Sequence, residues 1–156
     1  METTLELLAD HPFLAGMAPE LLVDLARCTR RRSLPTGTTI FREGEQADAF
    51  WLVREGVIAI EFHVPGRGDI VVESIGGGTA LGWSWLQPPH RWRFTAIAAE
   101  PTLVLELDAV EVRRRCEANP ALGHDLTRRF AAVLADRLSA ARTRLVDLYA
   151  YPEVTS

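Results

Sequence analysis

The sequence predicts a mainly β fold with flanking α-helices, in which the strands form an antiparallel β-roll of the double-stranded jelly-roll type. Short β-rich runs recur between residues 38 and 107, and turn residues rich in glycine separate them. Evenly spaced short strands with such turns favour an antiparallel roll over a parallel βαβ sheet. A third observation, an apolar heptad pattern after residue 120, predicts a long C-terminal helix.

Two short N-terminal helices are expected before the strands. Residues 5–8 form an apolar-faced segment that stops at Pro12. Pro19 then stands where a first helical turn tolerates proline, and Leu21, Leu22 and Leu25 share one face of the helix that follows. Six β-rich runs come next, at residues 38–41, 49–53, 57–62, 70–73, 94–98 and 103–107.

The C-terminal part reads as two capped helices. Asp108 is a good N-cap for a short helix through Cys116, and Asn119-Pro120 begins a second helix that can run to near Tyr149. Its first turns are expected to pack on the roll through Leu122, Leu126 and Phe130. Beyond them a seam with heptad spacing predicts a homodimer through a parallel coiled coil. The predicted dimer interface comprises Leu134, Leu138, Ala141, Leu145 and Leu148.

Length and composition narrow the classes of protein. The 156 residues suit one domain, residues 1–156, with N-terminal helices and roll at 12–107 and C-terminal helices at 108–149. The net charge of −4 gives no support to nucleic-acid binding. No secretory signal or membrane-length apolar run is present, and the two cysteines have no metal or redox spacing. A cytoplasmic protein is expected.

No set of residues indicates catalysis or a metal site. The four histidines are scattered, without cysteine or carboxylate partners at ligand spacing. Ser84 lacks the second glycine of a nucleophile elbow, and the glycines before Thr79 lack the lysine of a P-loop. The chain is therefore not expected to be an enzyme.

Residues 35–57 carry a specific pattern, in which Gly37, Gly44 and Gly56 punctuate strands that contain Ile40-Phe41 and Phe50. In this pattern the chain resembles the cyclic nucleotide-binding domain family, in particular the sensor domain of catabolite-activator-type regulators. The resemblance extends from about residue 12 to residue 148. It implies that the three glycines lie at corners of the roll and that a ligand phosphate is held by a cassette between two strands.

The cassette corresponds to residues 78–96 and departs from the family's pattern. Gly78 keeps the first glycine, but Thr79 stands where the family has its ribose-binding acid. Trp92 occupies the place of the phosphate-binding arginine, with Arg91 and Arg93 on either side. The resemblance implies a ligand, a cyclic nucleotide or another small anion, at Gly78, Thr79, Ala80, Leu81, Gly82, Trp83, Arg91, Trp92, Arg93, Thr95 and Arg142.

Three hypotheses for function remain open. The first is a homodimeric sensor that binds a small anionic ligand and signals to a protein partner. The second is a ligand-free β-roll scaffold, in which Trp83, Trp85 and Trp92 plug the pocket rather than stack on a ligand. The third is a shortened transcription regulator of the catabolite-activator type. Because the sequence ends at Ser156, close after the long helix, no DNA-binding element and no DNA partner are expected.

Overall fold

The computed structural model describes residues 2–150 and contains two four-stranded antiparallel sheets. The first sheet has the order β1-β8-β3-β6 and the second the order β2-β7-β4-β5. The predicted antiparallel roll is therefore confirmed. The strands are β1 Thr29–Leu34, β2 Thr39–Phe41, β3 Ala49–Glu55, β4 Val57–Val64, β5 Gly68–Gly76, β6 Ala80–Leu81, β7 Thr95–Ala98 and β8 Thr102–Asp108.

Four α-helices flank the roll: α1 Thr4–Asp10, α2 Pro19–Ala26, α3 Ala109–Ala118 and α4 Pro120–Ala150. Both predicted caps of the C-terminal helices form. An oxygen of Asp108 accepts a hydrogen bond from the Glu111 amide at 3.1 Å, and Asn119 Oδ1 accepts one from the Ala121 amide at 3.2 Å. Such caps satisfy amides that have no partner inside the helix.

The turn between β3 and β4 requires glycine at position 56. Gly56 has a φ of +108°, and a Cβ placed on it would lie 2.4 Å from Thr102 Oγ1 and 2.7 Å from the Pro101 carbonyl oxygen. A side chain would therefore meet both the backbone strain of this region and a steric clash. The corner predicted for Gly56 is confirmed by this geometry.

Aromatic side chains join the layers of the fold. Phe41 of β2 stacks on Trp51 of β3 with ring centroids 5.4 Å apart, so it connects the two sheets. On the other side of β3, Phe50 contacts Phe130 of α4 edge-on at 5.4 Å. Phe130 also meets Phe13 at 4.8 Å, and Leu122 and Leu126 are fully buried beside it. The first turns of α4 thus pack on the roll, as predicted.

Strand β1 was not predicted, because three consecutive arginines hide the alternation of a half-buried strand. Its pairing with β8 places Arg30 opposite Glu106. The Glu106 carboxylate accepts hydrogen bonds from Arg30 at 2.5 Å, Arg32 at 2.8 Å and the Trp51 indole at 2.9 Å. Burial opposes the ionisation of Glu106, but these three donors outweigh it and lower the pKa of the carboxyl. The cross-strand cluster holds the arginine-rich edge on the sheet.

We expect Glu106→Gln to lower the free energy of unfolding by about 1–2 kcal/mol, because an amide cannot accept hydrogen bonds from all three donors. This loss is small for hydrogen bonds to a charged group, because the Arg30 side chain is 71% exposed and water weakens its ion pair with Glu106. Because the folded pKa is lowered, the stabilisation is full above about pH 5, where the carboxyl of the unfolded chain is also ionised, and is lost as the pH falls through the lowered pKa. Urea unfolding at pH 7 and pH 3 measures this. Glu117→Gln, at an exposed position, is the control, and an equal effect of both variants would contradict the role of the cluster.

Candidate functional site

The cassette, residues 78–96, contains the short strand β6, a 3₁₀ turn at Ser84–Leu86 and the start of β7. Strand β6 was not predicted and has only two residues. Trp85 stacks on Phe50 with centroids 4.5 Å apart, and Arg113 of α3 donates a hydrogen bond to the Trp85 carbonyl oxygen at 2.8 Å. The middle of the cassette is therefore held against the helical side of the roll.

Trp92 lies in the core of the roll. Its ring stacks on Phe41 with centroids 3.9 Å apart and lies 5.8 Å from the ring of Trp51. Gly82, with a φ of +94°, allows this position, because a Cβ there would come within 2.7 Å of the Trp92 ring. The residue at the predicted place of the phosphate-binding arginine thus fills space between the two sheets.

Arg91 and Arg93 flank the buried Trp92 but do not share its environment. Both are exposed, and Arg91 donates to the Gly44 carbonyl oxygen at 2.9 Å. The Thr95 hydroxyl accepts a hydrogen bond from the Glu43 amide at 3.1 Å. These three predicted ligand residues are directed to the β2–β3 turn or to the surface, and the structure does not bring them together around a cavity.

Gly78, Thr79 and Ala80 line a cavity of about 480 Å³ between β5, the N-terminal segment and α4. The Thr79 hydroxyl donates to the Gly76 carbonyl oxygen at 2.6 Å, which uses its proton within the turn. Ala80 carries no polar side chain, and Leu81 is fully buried. The first half of the cassette therefore presents mainly backbone groups.

A larger open cavity, with a volume of about 620 Å³, lies between the second sheet, the cassette and α4. We call it the helix groove. Apart from Glu73 of β5, its roll wall is apolar and includes Ile60 and Phe62 of β4, Trp83 of the cassette and Phe94, the residue directly before Thr95. The apolar part of the helix wall consists of the five residues of the predicted dimer interface: Leu134, Leu138, Ala141, Leu145 and Leu148.

Arg137 is the main charged group of the helix groove. Its side chain is only 14% exposed, and its guanidinium carbon lies 5.0 Å from the centre of the Trp83 ring. Nη2 donates to the Ala80 carbonyl oxygen at 3.2 Å. Nη1 lies 3.7 Å from Glu73 Oε2 and makes no hydrogen bond within the described part of the chain. Burial lowers the pKa of Arg137, and the Glu73 charge opposes that shift.

Arg144 lies one heptad after Arg137 on the same flank of α4. It donates a hydrogen bond to the Val72 carbonyl oxygen of β5. Arg142, a predicted ligand residue, lies on another side of the helix, beside Ser139 and Val146. Sequence reasoning therefore missed the two arginines that face the roll. The available signal was their spacing of seven residues, with each arginine directly before a leucine of the seam.

The predicted dimer interface and the helix groove share one stripe of α4. Leu138, Leu145 and Leu148 remain 61%, 53% and 71% exposed although they line the groove. The flanking arginines turn toward the roll and leave this stripe open on its outer side. A ligand in the groove and a second copy of the helix would therefore contact neighbouring parts of the same apolar surface.

Comparisons with known proteins agree with this fold. The model of the cyclic nucleotide-binding domain matches residues 31–119. The chain is 32% identical to the cyclic AMP receptor protein of Thermus thermophilus, over 91% of this chain and 63% of that protein. It is 29% identical to a cyclic nucleotide-gated potassium channel of Mesorhizobium japonicum, over 75% of this chain and 31% of the channel.

A solved structure from Geobacter metallireducens GS-15, assigned as a cyclic nucleotide-binding protein, superposes with a TM-score of 0.78 at 30% identity. The match covers 88% of this chain and 99% of that structure. The chain belongs to the cyclic nucleotide-binding domain family. It has the fold of a sensor or regulatory module, and it spans less than two thirds of the length of the two relatives above. Within residues 2–150, none of the helices combines the length and apolar composition needed to cross a bilayer.

We expect Gly82→Ala to destabilise the protein by about 2 kcal/mol more than Gly66→Ala, which lowers Tm by roughly 5 °C more. Both glycines have left-handed backbone, but a Cβ at Gly66 meets open space whereas one at Gly82 meets Trp92. The Gly66 variant therefore reports the backbone cost alone. Calorimetric melting measures the difference. Equal Tm values for the two variants would contradict the tight contact between Gly82 and Trp92.

Proposed function

We propose that this chain acts as a sensor, in which a small anionic ligand binds in the helix groove and changes the surface that α4 offers to a protein partner. The observation that carries this proposal is the position of Arg137. Its guanidinium lies in the groove and also connects the helix to the cassette through the Ala80 carbonyl oxygen. A ligand anion that binds Arg137 competes directly with a contact that holds α4 against the roll.

The attachment of α4 is polar at three points along its length. Arg129 donates to the carbonyl oxygens of Phe13 and Ala15 at 2.9 Å, Arg137 to that of Ala80, and Arg144 to that of Val72. Hydrogen bonds from a guanidinium to a neutral carbonyl are weaker than those to an anion. A bound anion can therefore stabilise a different position of the helix, which shifts the population of states.

We also propose that the chain forms a homodimer through the apolar stripe of α4. Its leucines are exposed over four helical turns, which is unusual for a surface that meets only water. A parallel coiled coil would bury them and leave Arg137 and Arg144 on the flank that faces the roll. The ligand site and the dimer contact would then be adjacent, so that a shift of α4 reaches the second subunit.

A cyclic nucleotide is the ligand class suggested by the family and by the receptor and channel relatives. This chain lacks the family's acid at Thr79, and Arg91 and Arg93 are directed away from the groove. A second candidate function is a ligand-free scaffold. The specific observation that favours it is Trp92, which fills the roll between Phe41 and Trp51.

The dimer is tested with Leu138→Asp, which places a carboxylate in the stripe of both copies. We expect the dissociation constant of the dimer to rise about tenfold or more, since leucine packing is lost and like charges face each other. Sedimentation equilibrium measures the change. Val110→Asp, at an exposed apolar position of α3 outside the stripe, is the control. A dimer that tolerates Leu138→Asp as well as Val110→Asp does not use this surface.

The sensor proposal is tested by melting the protein with a panel of small anions that includes cyclic AMP and cyclic GMP. A ligand at a hundred times its Kd stabilises by about 2.7 kcal/mol, which raises Tm by roughly 5–10 °C. Arg91→Ala and Arg93→Ala should keep the shift, because these side chains do not face the groove. If no anion at millimolar concentration shifts Tm, the scaffold function is supported instead.

A further inference from the structure

We infer that the helix groove binds an amphipathic monocarboxylate, an elongated apolar molecule with a single carboxylate, and that Arg137 binds this carboxylate. The inference rests on the proposed function and specifies the chemistry of its ligand. It follows from the apolar roll wall, from the charges at the mouth of the groove and from the length of α4 that lines it.

The roll wall offers little to a molecule with several polar groups. Ile60, Phe62, Trp83 and Phe94 contribute aliphatic and aromatic surface. Phe94 is 2% exposed and lies next to Trp83, with ring centroids 5.2 Å apart. Sugar hydroxyls against these four side chains would lose their water without gaining hydrogen-bond partners, which opposes binding. An apolar chain or ring meets no such penalty and gains from burial.

The charges of the groove suit one negative charge. Its lining includes two arginines and one carboxylate, which are Arg137, Arg144 and Glu73. Arg137 Nη1 lies 3.7 Å from Glu73 Oε2 and is buried without a hydrogen-bond acceptor among the described residues, so a carboxylate pairs with this donor once the guanidinium turns from the Ala80 carbonyl toward the groove. The planar guanidinium presents paired donors that match the two oxygens of a carboxylate. The Trp83 ring beneath Arg137 shields the pair from water and strengthens it.

The shape of the groove favours an elongated molecule. The groove follows α4 from Leu134 to Leu148, which at 1.5 Å per residue corresponds to about 21 Å. Arg137 lies near one end of this path, and the leucines continue beyond it to the other end. A carboxylate on Arg137 therefore leaves the attached apolar chain along Leu138, Ala141 and Leu145.

Octanoate and its uncharged isostere octanamide test the inference by titration calorimetry at concentrations below micelle formation. We expect octanoate to bind the parent about tenfold more tightly than octanamide, the margin of one charge-assisted hydrogen-bond pair. Arg137→Met should remove that preference, and Arg142→Met, on another side of the same helix, should retain it. Circular dichroism checks folding. If Arg137→Met does not fold, Arg137→Lys, which keeps the charge but not the paired donors, should bind octanoate several-fold more weakly.

Each other outcome overturns the inference. Equal affinity for octanoate and octanamide would mean that only apolar surface is recognised. Equal losses in Arg137→Met and Arg142→Met would place the anion elsewhere. If cyclic AMP binds and octanoate does not displace it, the sensor function stands and the ligand class inferred here is wrong. If neither binds and the leucine stripe serves only a second copy of the helix, both the inference and the sensor function fail.

Discussion

The packing of Phe130 decides how α4 leaves the roll, and the other features of the molecule follow from that direction. Its ring contacts Phe50 of β3, Trp85 of the cassette and Phe13 of the N-terminal segment. These contacts fix the first turns of a continuous helix of 31 residues. The remaining turns must then run beside β4 and β5, where the sheet is too narrow to cover their apolar stripe. The helix groove exists because the helix is longer than the surface on which it packs.

The positively charged side chains of the groove belong to α4 and not to the cassette. Trp92 stacks on Phe41 in the roll, and the absence of a side chain at Gly82 leaves room for its ring. With Trp92 inside, its neighbours Arg91 and Arg93 are exposed at the surface. Arg137 takes over the role of a cation beside the cassette, where Trp83 and Glu73 shield it. The main cation of the groove is thus carried by α4, the element that the proposed ligand response would shift.

Local rules predicted much of the fold. The caps Asp108 and Asn119 form because they satisfy amides within three residues of themselves, and the Gly56 corner forms because its φ excludes other residues. The heptad spacing showed which side of α4 is apolar. Strand β1 was not predicted because its pairing with β8, rather than its own sequence pattern, determines that it is a strand. Its arginines are stabilised in the sheet by Glu106, a residue more than seventy positions away.

The sequence by itself determined the class of fold, the departures of the cassette from the family and the apolar stripe of α4. These properties are encoded in residue types at short, fixed spacings. Only the tertiary structure decided which arginines face the groove, because Arg137 lies far along the chain from the cassette that it contacts. It also decided that the roll lies against the arginine flank of α4 and that the leucine stripe borders the groove. Distances between such segments depend on how side chains fill the space between layers, and no local pattern specifies that.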